Sequence, residues 1–207
     1  MVQSRRGDVR ALKAFLRAKA PFVGPREVHS TGVEGLDPVL NGGWPKGALT
    51  VLVGLPGSGR MTLAGRALAE QTRSARPVAW IDAQGLAYPP ALDALGVDLS
   101  RLLMVRGLPT QASFAAEQII STGVFEMVVI SGLDAHINPG RARRLQTSTE
   151  GAKVTTLMLV EPAASQQLQN AALKLQLTRR AHQIQVEVLK DRSGQASGRR
   201  FRITDPL

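Results

Sequence analysis

The 207-residue chain contains no cysteine, few aromatic residues and no long hydrophobic run. Without cysteine it cannot form a disulfide scaffold, a thiolate zinc site or a cysteine nucleophile. No apolar stretch approaches the roughly 20 residues needed to cross a bilayer, and the charged N-terminus precedes no apolar signal segment. The three histidines lack metal-ligand spacing. We therefore expect a soluble, cytoplasmic protein with no metal site and no membrane contact.

Acidic residues are scarce relative to basic ones, because 16 Asp and Glu stand against 26 Lys and Arg, for a formal net charge of +10. This excess favours an acidic partner such as nucleic acid. The alternative is a compositional bias in which arginine simply replaces lysine. With 43% hydrophobic residues the chain can bury a sizeable core, and its length fits one domain. Disorder as the main state is excluded.

The first 28 residues are predicted to form a segment of their own. Positions 8–20 have helical periodicity, and Pro21 ends this helix before a linker at 22–28. The apolar face is interpreted as a partner-binding surface or, alternatively, as a face that folds back onto the core; it consists of Val9, Leu12, Phe15 and Leu16. We divide the chain into an N-terminal helix and linker at 1–28 and a core domain at 29–207.

The core domain has the pattern of an α/β fold. Continuous apolar strands are predicted at 48–53, 77–81, 102–106, 127–130 and 155–160, and helices at 60–71, 91–95, 113–121 and 140–149. Apolar strands without polar alternation imply a mostly parallel sheet flanked by helices on both faces. After residue 171 the period changes to strict alternation, which predicts a C-terminal antiparallel meander.

A glycine-rich loop follows the first long strand and precedes a helix. The run GLPGSGRMT at 54–62 has the glycine spacing of the phosphate-binding P-loop, in which backbone N–H groups and the helix N-terminus bind an anion. Two side chains depart from the pattern, since Arg60 replaces the lysine and Met61 the magnesium-binding Ser or Thr. The candidate loop residues are Gly54, Pro56, Gly57, Ser58, Gly59, Arg60, Met61 and Thr62.

The chain resembles the ATPase core of the bacterial RecA recombinases from about residue 30 to 207. The resemblance rests on STGVEGLDPVL at 30–40, GGWPKGAL at 42–49, the glycine loop, IDAQGLA at 81–87 and GVDLSRLL at 96–103. It implies a RecA-like P-loop fold. It also implies that several functional positions are substituted, because the water-activating glutamate aligns with Gln84, the Walker B carboxylate with Ser131 and the adenine-stacking aromatic with Ala91.

These substitutions predict absent or very weak ATP hydrolysis. Gln84 can orient a water but cannot accept its proton, and Met61 cannot ligate magnesium. We expect no bound cofactor and no magnesium site, with ATP binding as the open alternative. A second reading is a genuine nucleotide switch or weak ATPase of the RecA superfamily.

A shortened RecA-like chain with these substitutions is similar to the ImuA-type accessory proteins of the mutasome. The similarity implies a non-catalytic adaptor of the SOS response to DNA damage that binds RecA, ImuB or both, and acts indirectly with an error-prone DNA polymerase in translesion synthesis. The related SulA-type cell-division inhibitors are an alternative, although such chains usually lack a recognisable glycine loop.

DNA binding is a further alternative. It is expected to be weak, because the two DNA-binding loops of the recombinases look shortened here. The basic residues that could contact phosphates, without reading base sequence, are Arg141, Arg143, Arg144, Arg179, Arg180, Arg199 and Arg200.

Overall fold

The computed structural model describes residues 27–204. The strands are β1 (Val28–His29), β2 (Trp44–Pro45), β3 (Leu49–Val53), β4 (Val78–Asp82), β5 (Leu102–Arg106), β6 (Met127–Ser131), β7 (Thr155–Val160), β8 (Leu173–Arg180), β9 (Gln183–Asp191) and β10 (Arg200–Thr204). The helices are α1 (Leu36–Val39), α2 (Arg60–Arg73), α3 (Pro89–Ala94), α4 (Pro109–Ser121), α5 (Pro139–Ala152) and α6 (Pro162–Ser165), and single 3-10 turns occupy Leu99–Arg101 and Asp134–His136.

Eight strands form one sheet in the order β10-β9-β8-β3-β7-β6-β4-β5. The six strands from β8 to β5 are parallel, and β9 and β10 are added antiparallel at one edge. Every residue of β3, β4, β6 and β7 is buried, because helices cover both faces of these central strands. The predicted α/β fold, with a mostly parallel sheet and a C-terminal meander, is confirmed.

Two apolar layers enclose the sheet. On one side α2 contributes Leu63 and Leu68 to a core that includes Trp80 and the inner residues of the meander. On the other side α4 and α5 contribute Ile120 and Leu145. Within residues 27–204, no helix combines the length and apolar composition needed to cross a membrane.

The helices begin earlier than the apolar periodicity predicts. Helix α4 starts at Pro109 rather than at residue 113, and α5 starts at Pro139 rather than at residue 140. Proline is favoured in the first turn because its missing N–H has no helical partner there. Asn138 caps α5 by accepting a hydrogen bond from the Arg141 backbone N–H at 3.0 Å.

A small second sheet joins the start of the core to the rest of the domain. Val28, which the sequence assigned to the linker, pairs in β1 with Pro45 of β2. The buried His29 ring lies beside Glu126, with Nε2 3.2 Å from the carboxylate Oε1. Burial lowers the pKa of His29 to about 4, although the Glu126 charge acts in the opposite direction. Sequence patterns missed β1 and β2 because two-residue strands have no detectable period.

Candidate functional site

A cleft of about 280 Å³ opens at the carboxyl ends of the central parallel strands. This is the edge at which parallel α/β sheets usually bind ligands. The glycine loop forms one wall, and the segments after β4, β6 and β7 form the others. The residues that line the cleft are Leu55, Pro56, Gly57, Ser58, Gly59, Arg60, Met61, Thr62, Asp82, Gln84, Leu86, Ser131, Gly132, Asp134, Leu159, Glu161 and Arg179.

The glycine loop joins β3 to the N-terminus of α2. Gly57 and Gly59 have φ angles of +78° and +94°, which residues with a Cβ rarely adopt. No side chain caps α2, so its first N–H groups face the cleft. The Ser58 hydroxyl is buried and has no hydrogen-bond partner within the described chain. Free helix donors and an unpaired hydroxyl in one loop are suited to a phosphate group.

Arg60, at the first position of α2, is the cation of the loop. Its side chain is half-buried, and its guanidinium makes no hydrogen bond or ion pair within residues 27–204. Burial lowers the pKa of Arg60, whereas the carboxylates of Asp134 and Glu161 raise it. Asp134 in turn accepts a hydrogen bond from the Glu161 backbone N–H. The carboxylates of Asp134 and Glu161 therefore lie near the Arg60 guanidinium, and they reduce the positive potential that it offers to an anionic ligand.

The residues that follow Arg60 do not provide the expected magnesium ligand. Met61 lines the cleft and also packs against the apolar core. Thr62, which helical geometry predicts to point about 100° away from Met61, lines the cleft as well. A thioether is a soft ligand and a poor match for magnesium, which prefers oxygen. The residue at the aligned position thus does not fit the metal.

Ser131, at the Walker B position, belongs to a buried hydrogen-bonded network. Its Oγ accepts a bond from Trp80 Nε1 at 3.0 Å and donates one to Asp82 Oδ1 at 3.2 Å. The other oxygen of Asp82 accepts from the Ala87 backbone N–H at 2.7 Å. Asp82 is almost fully buried and bonds the local backbone after the end of β4. The side chains of Ser131 and Asp82 therefore make their hydrogen bonds within the protein rather than to a ligand.

Gln84 lies at the mouth of the cleft, where its side chain is exposed. Its backbone runs close to Gly132, at which a Cβ would approach the Gln84 nitrogen to 2.9 Å. The amide can hold a water by hydrogen bonds, but it cannot act as a general base. The cleft thus brings together the glycine loop, Gln84 and Ser131.

The segment between β7 and β8 is anchored to the domain at several points, although most of its residues are exposed. Leu168 is fully buried beneath the segment. Three cations donate to its carbonyls: Lys174 Nζ to Ser165 at 2.7 Å, Lys190 Nζ to Gln169, and Arg192 Nη2 to Asn170 at 2.7 Å. Burial, together with the Lys190 charge, lowers the pKa of Lys174.

The arginines predicted to contact DNA are distributed over several surfaces. Arg141 donates to the His136 carbonyl, Arg144 pairs with Glu117, and Arg200 pairs with Glu187. Arg199 donates to the carbonyls of Pro38 and Val39 and to the Asn41 side chain, all at the end of α1. Arg179 lines the cleft, whereas Arg143 and Arg180 are exposed. The predicted partner-binding face of Val9, Leu12, Phe15 and Leu16 lies outside the described residues.

Sequence reasoning did not assign several residues of the cleft to the site, among them Asp134, Glu161, Leu55 and Leu86. Glu161 follows the last residue of β7, and Asp134 lies in the turn after β6. Their positions after apolar strands of a parallel sheet are a usable signal, since the carboxyl ends of such strands meet at one edge. Leu55 and Leu86 were missed because an exposed leucine in a loop has no distinctive pattern.

Comparison with known proteins agrees with this geometry. The chain belongs to the RecA N-terminal domain family, whose model matches residues 20–168. Protein RecA of Prochlorococcus marinus (strain MIT 9211) is 36% identical over 112 residues, covering 53% of this chain and 30% of that protein. Protein RecA of Synechococcus sp. (strain WH7803) is 34% identical over 112 residues, covering 53% and 29% respectively. The aligned region thus spans less than a third of the length of these curated relatives.

Proposed function

We propose that this chain is a non-catalytic RecA-like adaptor of the SOS response to DNA damage. In this proposal it binds RecA, ImuB or both, and favours translesion synthesis by an error-prone polymerase over recombination. The observation that carries the non-catalytic part is the hydrogen-bonded network of Trp80, Ser131 and Asp82, which fills the Walker B position. With Met61 and Gln84 at two other functional positions, little is left to run phosphoryl transfer.

The edge of the domain at the carboxyl ends of the parallel strands supports a role in protein binding. Large apolar side chains are exposed on the loops that follow β3, β4 and β5: Leu55 (62%), Leu86 (69%), Tyr88 (65%) and Leu108 (67%). Apolar residues that cluster on one edge of a domain are typical of protein interaction sites. A RecA-like chain that docks on a RecA filament through this edge, without a working ATP site, would stop the addition of further protomers.

The test is a titration of the purified chain into preformed RecA filaments on single-stranded DNA. Filament length and RecA ATP hydrolysis are followed, with the chain alone as the blank. We expect both to fall at substoichiometric protein, because one molecule suffices to block one filament end. Absence of any effect, combined with absence of RecA binding, would refute the RecA part and leave ImuB as the partner to be measured.

Variants locate the interface in the same assay. The double substitution Tyr88→Asp/Leu108→Asp should abolish the effect on filaments, because a buried carboxylate is costly in an apolar contact. Val124→Asp is the matched control, since Val124 is 63% exposed in the loop before β6, at the opposite edge of the sheet. The predicted N-terminal face is tested by Leu12→Asp/Phe15→Asp. Unchanged affinity of either double variant would exclude the corresponding surface.

A second candidate function is nucleotide binding without hydrolysis. The unpaired Ser58 hydroxyl beside the free N-terminus of α2 favours it. ATP at 100 times its dissociation constant would add about 2.7 kcal/mol to the free energy of unfolding. We expect any such gain to be equal in magnesium and in EDTA, because Met61 provides no magnesium ligand. A gain that requires magnesium, or turnover that disappears in Arg60→Ala, would instead indicate an ATPase.

A further inference from the structure

The loop that follows β4 carries two of the apolar side chains at the edge proposed to dock on a partner. Leu86 is 69% exposed and Tyr88 is 65% exposed, whereas Ala87 between them is buried. Residues 83–88 form neither helix nor strand. Surface loops of this kind are usually more mobile than the elements that they connect. The contacts that hold Ala87 therefore decide how the two apolar side chains are presented.

Ala87 is held by side chains from the ends of two neighbouring strands. Its backbone N–H donates to Asp82 Oδ2 at 2.7 Å, and its carbonyl accepts a hydrogen bond from Arg106 Nη2 at 2.8 Å. Asp82 and Arg106 are register partners at the carboxyl ends of the parallel strands β4 and β5. Hydrogen bonds that involve an ionised group are roughly twice as strong as bonds between neutral groups. Asp82 and Arg106 thus fix both polar backbone groups of one loop residue.

The backbone of Tyr88 is held on its other side by the start of α3. Its carbonyl accepts a hydrogen bond from the Ala91 N–H at 3.0 Å, and Pro89 and Pro90 form the first turn of the helix. A proline confines the residue before it to extended backbone, and Tyr88 has φ −107° and ψ 105°. Tyrosine has only two side-chain torsions, so its ring loses little entropy on binding. Tyr88 is therefore suited to act as a preformed anchor for a partner.

The two residues that hold Ala87 differ in what else they do. Asp82 is buried and also accepts a hydrogen bond from Ser131, so it is needed for the fold. Arg106 is exposed, and within residues 27–204 its guanidinium bonds only the Ala87 carbonyl. An exposed cation that spends its hydrogen bond on a loop contributes to the shape of that loop more than to the core.

A preformed surface binds more tightly than a mobile one, because less conformational entropy is lost when the complex forms. We propose that Arg106 is a positioning residue of the docking edge. Through the Ala87 carbonyl it holds Leu86 and Tyr88 in the arrangement that the partner contacts. The inference rests on the proposed function, in which this edge docks on a RecA filament.

The first measurement is amide hydrogen exchange in the full chain alone, so it does not depend on any partner. Arg106→Ala should speed exchange of the amides at 84–88 about tenfold, and Arg106→Lys, which keeps a cationic donor, should restore most of the protection. The matched control is Arg101→Ala. Arg101 lies at the opposite end of β5, where its Nη1 donates to the Ala75 carbonyl at 3.0 Å. It removes the same charge and the same kind of bond, and the loop should exchange as in wild type.

The second measurement repeats the RecA filament titration with these variants. Arg106→Ala should raise the concentration for half-maximal effect about tenfold, whereas Arg101→Ala should not change it. In a Leu86→Ala/Tyr88→Ala background Arg106→Ala should have no further effect, because a positioning residue acts only through the side chains that it positions.

The outcomes separate the inference from the function on which it rests. Unchanged exchange at 84–88 in Arg106→Ala, or unchanged docking of this variant, would overturn the role of Arg106 and leave docking through this edge in place. So would losses that simply add in the triple variant, because Arg106 would then contact the partner itself. A wild-type chain without any effect on filaments would overturn both.

Discussion

Restoring the Walker B carboxylate should destabilise this protein rather than activate it. In Ser131→Asp the new carboxylate would lie against the buried carboxylate of Asp82, where the serine hydroxyl now donates a hydrogen bond at 3.2 Å. An uncompensated buried charge costs about 3–5 kcal/mol. The milder Ser131→Ala leaves the buried Trp80 N–H without its acceptor, at a cost of about 1–3 kcal/mol.

Both effects are measured by thermal and denaturant unfolding, together with ATP hydrolysis. For a chain of this size, each kcal/mol lowers Tm by about 2–4 °C. Ser131→Thr, which keeps the hydroxyl, is the control and should stay close to wild type. A Ser131→Asp protein as stable as wild type, with ATP hydrolysis that Arg60→Ala abolishes, would refute this reasoning.

Three further predictions concern the stability of the fold. The pKa of His29, about 4, lies below the unfolded value of about 6.5. The free energy of unfolding should therefore fall by about 3 kcal/mol as the pH is lowered from 6.5 to 4. Urea titrations of His29→Gln should show no such dependence. Gly59→Ala should cost about 1–3 kcal/mol more than Gly57→Ala, because only the former meets the Ile184 side chain, and equal Tm losses would contradict this. Arg199→Ala should cost about 1 kcal/mol by freeing the carbonyls that end α1, and an unchanged urea midpoint would argue against it.

Local sequence patterns predicted most of the sheet. Strands β5 and β7 begin and end where the sequence predicts, at 102–106 and 155–160, because apolar and β-branched runs are sharply bounded there. The helix boundaries were less accurate, since proline and asparagine capping residues precede the apolar periodicity. The short β1 and β2 strands depend on a contact between distant segments, and no local pattern contains that information. The helix predicted at 8–20 stays a prediction.

Half of the cleft could be predicted from motifs and half depends on topology. The glycine loop, Gln84 and Ser131 are found by their order along the chain. Asp134 and Glu161 reach the same cavity only because β6 and β7 are neighbours in the sheet, and strand order is not written in the sequence of either strand. Sequence also cannot separate an arginine such as Arg199, whose guanidinium bonds backbone carbonyls, from one such as Arg180, whose guanidinium has no such partner among residues 27–204.

Two of the loop glycines are needed for packing whether or not a ligand binds. A Cβ on Gly54 would lie 2.8 Å from the Leu177 carbonyl oxygen, and one on Gly59 would lie 2.4 Å from the Ile184 side chain, so the meander leaves no room for either. Glycine spacing is therefore weak evidence for phosphate binding here. The buried Ser58 hydroxyl is different, because it has no hydrogen-bond partner within the described chain and an unsatisfied buried group costs about 1–3 kcal/mol. Loss of nucleotide binding in Ser58→Ala would thus report on the chemistry of the loop, whereas glycine substitutions report mainly on its fold.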